Sequence, residues 1–136
     1  MRVIVGVGTE HTERAKEVAE TARRFAGADA EPRLVHVHRL RQMVVMDYTY
    51  VEPPERVAKE LQEETEQLEA IASELAGATS VDVVIGNPVQ AILTATEGAD
   101  LLVIGRSHLG VLSRILEGSV ESHLVHEAPC PVLIVP

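Results

Sequence analysis

Two periodicities alternate along this chain. Arg2 to Val7 is a β-branched run of the kind that fills a central parallel strand, and Gly6, Gly8 and Thr9 end it. From about Thr12 to Ala26 the positions Ala15, Val18, Ala19, Ala22, Phe25 and Ala26 recur at three and four. That spacing predicts one buried helix face, stopped by Gly27. Arg33 to His38 predicts a second strand, with Val35 and Val37 on one face and His36 and His38 on the other. Residues 39–52 lose the pattern. Met43-Val44-Val45-Met46 extends the strand or forms an apolar loop, and Tyr48, Tyr50, Pro53 and Pro54 interrupt it. The segment reads as a surface loop folded onto the body, or as a flap over a ligand or a subunit contact.

A long helix is predicted from about Pro54 to Ala76, with Pro54 suited to the first turn. Val57, Leu61, Leu68, Ile71, Ala72 and Leu75 make its buried face. Glu60, Glu63, Glu64, Glu66 and Glu69 read as a solvated face. Val81 to Ile85 is the third strand, and Pro88 opens a short helix through Thr96. Gly98-Ala99-Asp100 then leads into the apolar strand Leu101 to Ile104. The last helix spans about Gly118 to His126, with room for an earlier turn over Leu112 to Leu116. Pro129 and Pro131 stop it before a fifth strand, Val132 to Val135.

Strands and helices thus alternate without a long linker or repeat. The prediction is a single α/β domain over 1–136, a parallel doubly wound sheet with helices on both faces and right-handed crossovers. Sheets of this kind bind ligands at the carboxyl ends of their strands, where the winding reverses.

Composition narrows the classes. The chain's 136 residues suit one core, and with only 2% aromatic residues that core must be aliphatic. No apolar run approaches the roughly 18 residues that cross a bilayer. Met1-Arg2-Val3-Ile4-Val5 runs straight into the strand pattern, without a signal-peptide layout. One cysteine excludes an intrachain disulfide and an all-cysteine metal site. A cytoplasmic protein with no membrane contact is expected. A net charge of -9 opposes nonspecific nucleic-acid binding.

The candidate chemistry lies in the last third. Gly105-Arg106-Ser107-His108-Leu109-Gly110 follows a buried strand, and Gly118-Ser119 opens a helix. Glycines let backbone approach a phosphate, and free N–H groups of a first helical turn point at it. This stretch resembles the universal stress protein family, whose pattern is a glycine, two residues, a second glycine, nine residues, then Gly-Ser or Gly-Thr. Gly105, Gly118 and Ser119 match; His108 stands where the second glycine belongs. The closing Ala128-Pro129-Cys130-Pro131-Val132-Leu133-Ile134-Val135 is also similar to the family.

The resemblance implies a strand order of 3-2-1-4-5, with the Gly6 to Thr9 and Gly105 to Gly110 loops facing each other between strands one and four. It implies ATP or a related adenine nucleotide, with magnesium on the phosphates, over Val7, Gly8, Thr9, Gly105, Arg106, His108, Gly110, Gly118, Ser119 and Val120. Val37 and His38 would flank the base. The family also implies a homodimer through strand 132–135, a structural role for His36, and a binding and signalling module, not a catalyst.

Two departures support an alternative, a member that binds no nucleotide and acts through dimerisation and protein partners. The aspartate that usually ends the family's first strand is missing before Gly8-Thr9, and His108 replaces a glycine. A non-glycine residue at positive φ costs about 1–2 kcal/mol. A charge-assisted hydrogen bond from His108 to phosphate returns about 1.5–3 kcal/mol. The two readings therefore stay open on energy alone.

Other chemistries fit less well. Gly6-Val7-Gly8-Thr9-Glu10-His11 lacks the third glycine of a dinucleotide fingerprint, and there is no Walker A lysine. No Gly-x-Ser-x-Gly elbow is present, so no hydrolase is expected. His11, His38 and His108 fall near strand ends, but no short ligand spacing supports a metal, and none is expected. His123 and His126 sit near the end of the last helix, where positive charge suits the dipole.

Overall fold

The computed structural model describes residues 1–40, 42–106 and 120–136, and for 42–45 the backbone alone. The elements are β1 (Arg2–Gly6), α1 (Thr12–Ala26), β2 (Glu31–His38), β3 (Gln42–Val45), β4 (Tyr48–Val51) and α2 (Pro54–Glu74). They continue with β5 (Ser80–Ile85), α3 (Pro88–Ala95), β6 (Leu101–Gly105), α4 (Val120–Glu127) and β7 (Val132–Val135). A five-stranded sheet runs β5-β2-β1-β6-β7, with every pairing parallel. The numbering departs from 3-2-1-4-5 because a separate hairpin contributes β3 and β4 before β5.

The core follows from the apolar spacing. Val3, Val5, Leu34, Leu101 and Val103 face α1 and α2, packing on Ala15, Val18, Ala19, Ala22, Leu68 and Ile71. Ile4, Val35, Leu102 and Ile104 face the other way, with Ile92 of α3 and Leu124 of α4. Four small or branched residues on α1 let that helix lie close to the sheet. Gly27 ends α1 with φ +88°, a conformation that favours glycine. Lys16 on α1 reaches Glu74 on α2 at 2.6 Å, and that hydrogen bond is the main cause of its raised pKa.

Three expectations need correction. Phe25 is 67% exposed: in the last turn of α1 it is Ala26 that packs against the core, and Phe25 lies about 100° round the helix from it. Residues 42–51 form an antiparallel hairpin, not a loop, closed by Met46 and Asp47 at φ 47° and 67°. Its turn carries no glycine, so the usual hairpin signal is absent from the sequence. Glu60 and Glu64 are not solvated: they turn toward β2, where two histidines meet them.

Candidate functional site

β1 and β6 lie side by side, with Gly6 opposite Ile104, so their carboxyl ends leave the sheet together. This is where the chain's winding reverses, since β2 and β5 lie to one side and β7 to the other. Val7 continues β1 for one residue, its N–H donating to the Val35 carbonyl at 2.9 Å. Gly8 is exposed, and a Cβ built there would touch nothing within 4 Å. Thr9 is half-buried. The Arg106 N–H donates to the Val135 carbonyl at 2.8 Å, which leaves its exposed side chain at the rim.

The structure therefore brings Val7, Gly8, Thr9, Gly105 and Arg106 to one end of the sheet. Val120 opens α4 and is half-buried. His108, Gly110, Gly118 and Ser119 lie outside the described residues. Gly105 has a packing reason of its own: a Cβ would fall 2.9 Å from Val18 Cγ2 and 3.4 Å from Arg14 Nη2. That arginine donates from Nη2 to the Val135 carbonyl at 2.7 Å, tying α1 to the end of β7.

Val37 and His38 part company, as strand alternation requires. Val37 packs with the α3 side of the core. His38 is buried on the α2 side, its Nδ1 3.0 Å from Glu64 Oε1. His36 points the same way. Its Nδ1 lies 3.1 Å from the Val7 carbonyl, which can only accept, so Nδ1 carries the proton. Its Nε2 is 3.5 Å from Glu64 Oε2. Glu52, Arg56 and Glu60 complete the group, with Arg56 Nε 3.8 Å from Glu52 and 3.3 Å from Glu60. Glu60 is the leading cause of the raised Arg56 pKa.

This polar cluster was not foreseen. The signal was present as His36 and His38 two apart on a strand, opposite Glu60 and Glu64 four apart on a helix. Each pair shares a face of its element, but only the packing of α2 on β2 reveals that the faces meet.

A depression of about 840 Å³ opens at the opposite end of the sheet. It is lined by strand starts such as Arg2, Glu31 and Ser80. Doubly wound sheets place ligands at the other end, so geometry favours the β1–β6 crevice over this hollow. No helix among the described residues is long and apolar enough to cross a membrane.

A five-stranded parallel sheet whose neighbouring strands β1 and β6 end side by side at the reversal of winding defines a doubly wound α/β domain. The model of the universal stress protein family matches residues 1–136. A universal stress protein of Thermus aquaticus is 37% identical over 132 residues, covering 94% of this chain and 92% of its own. The chain belongs to the universal stress protein family. Among solved structures, a universal stress protein in complex with cAMP superposes with a TM-score of 0.66 at 22% identity, covering 100% of this chain and 96% of that one. An Arabidopsis thaliana family protein with AMP bound gives 0.63 at 21% identity, covering 99% and 90%.

Proposed function

We propose that this protein is an adenine-nucleotide-binding module that does not turn its ligand over. The nucleotide lies across the carboxyl ends of β1 and β6. The observation that carries the reading is the open space at Gly8 beside the end of β6, where a phosphate could approach backbone N–H groups. The cAMP and AMP complexes of structural neighbours support the ligand class. Val7, Thr9, Gly105 and Arg106 line the crevice in this reading. His108, Gly110, Gly118, Ser119 and Val120 supply the phosphate loop and helix start that the motif spacing implies. The Val37 and His38 backbone flanks the base, and ATP brings Mg²⁺ with its phosphates.

A thermal shift series with ATP, ADP, AMP and cAMP tests it, followed by mass spectrometry of nucleotide retained by gently purified protein. Saturable stabilisation by at least one of these is expected, without hydrolysis above the buffer rate. The second reading, action through partners alone, is favoured by His108 in place of a glycine. Absence of binding in the parent, together with gain of binding in His108→Gly, establishes it.

In the same proposal the protein is a homodimer. β7 pairs only with β6 among the described strands, and Ile134 is 39% exposed on it. A second copy added along that edge would satisfy its open backbone groups. Light scattering that reports a monomer at all concentrations excludes this. The lone thiol Cys130 fits a reducing compartment, and the proposal places the protein in the cytoplasm.

A further inference from the structure

The polar cluster between β2 and α2 has donor chemistry that the nucleotide reading leaves unused. His38 and Glu52 are each only 4% exposed, and the Glu60 side chain is 21% exposed. One donor atom from each of the three lies within 4.8 Å of the others. We propose that His38 Nε2, Glu52 and Glu60 bind a divalent transition-metal cation of the zinc class.

The argument begins with the imidazole. Glu64 is an acceptor at 3.0 and 3.1 Å from Nδ1, so Nδ1 carries a proton and donates it. That fixes the ring and turns the Nε2 position toward Glu60 Oε2, 3.8 Å away. Nε2 is buried and makes no hydrogen bond among the described residues. An orphaned buried nitrogen is costly whether it bears a lone pair or a proton. A cation accepting the lone pair removes the cost. The resulting carboxylate–imidazole–metal line, Glu64 to His38 to the ion, is how ligating histidines are usually held.

Charge and size agree. Glu52, Glu60 and Glu64 face the cluster from the hairpin exit and α2, with Arg56 as the guanidinium between the first two. His36 joins from β2 through Glu64. A tetrahedral ion with bonds near 2.1 Å holds adjacent donors about 3.4 Å apart. The His38–Glu60 separation of 3.8 Å is a few tenths of an ångström from that, within the reach of a glutamate rotamer. Arg56 is half-exposed on a long side chain and swings out to solvent when the ion enters. One nitrogen and two carboxylate oxygens suit zinc, cobalt or manganese, whereas magnesium and calcium favour all-oxygen shells.

The test uses the untagged full chain titrated with Co²⁺ and Zn²⁺, read by calorimetry and by cobalt d–d absorption. One saturable equivalent is expected, with Mg²⁺ unable to displace it. His38→Gln and Glu60→Gln each weaken binding at least ~10-fold. Glu69→Gln, on the exposed side of α2, leaves it unchanged, and Arg56→Gln strengthens it. Circular dichroism checks each fold; should His38→Gln fail to fold, Glu60→Gln and Arg56→Gln still decide. No saturable uptake overturns the proposal, as does parent-like affinity in Glu60→Gln or weakened binding in Arg56→Gln.

Discussion

Gly105 and Val18 touch across the interface between β6 and α1, with no room between them for a single extra carbon. A Cβ at 105 would fall 2.9 Å from Val18 Cγ2, a distance that real side chains do not tolerate. Gly105→Ala is therefore expected to lower unfolding free energy by about 1–3 kcal/mol in urea titrations. Val18→Ala in the same chain should recover part of the loss, a coupling that a double-mutant cycle reads directly. The first glycine of the family motif thus has a packing role that persists whether or not a ligand binds.

Asn87 caps α3. Its Oδ1 accepts from the Val89 and Gln90 N–H groups at 3.0 and 3.3 Å, and Pro88 occupies the first turn. Asn87→Ala should cost about 1 kcal/mol, and Asn87→Asp close to nothing. Equal thermal midpoints for the parent and the alanine variant would contradict this.

The hairpin turn stores strain. Met46 and Asp47 both adopt positive φ without being glycine. Replacing them by Asn and Gly, the pair that such turns favour, should stabilise the hairpin by about 1 kcal/mol per residue relieved. Slower amide exchange along β3 and β4 checks the prediction, and faster exchange refutes it.

Cys130 is half-buried, and burial pushes its thiol pKa up, with the Asp100 carboxylate adding to the effect. The thiolate is the reactive form, so alkylation by iodoacetamide at pH 8 should be slower than that of a free thiol and keep rising at higher pH. Asp100→Asn should move the rate profile to lower pH. A profile that coincides with a free thiol's would show that neither influence operates.

Much of this architecture is legible in residue order. β-branched runs such as Arg2 to Val7 announced buried strands, and the spacing of Ala15, Val18, Ala19 and Ala22 placed α1 correctly. Local periodicity succeeds there because burial on the sheet decides the pattern. It fails at Phe25, which stays exposed while its neighbour Ala26 takes the place against the core. The hairpin escaped because a Met-Asp turn has no local signature. Glu60 and Glu64 looked solvated because glutamates on a helix usually are, and only the neighbouring strand's histidines overrule that prior. Of the anticipated site, the Gly6 to Thr9 and Gly105-Arg106 portions fall at adjacent strand ends, while the stretch from Ser107 to Ser119 lies outside the described residues.

The passage from β2 to β5 joins two neighbouring parallel strands, a task for which one helix suffices. Here α2 performs it, and the hairpin is an added arm with its own two-stranded sheet. Such an arm can be lengthened, trimmed or exchanged without redrawing the five-stranded frame. Its Tyr48 and Met46, each at least 80% exposed, sit on the portion of the molecule freest to diversify. Glu52 at its root links that arm to the five-stranded frame, so a change in its length would be felt first at the histidines of β2.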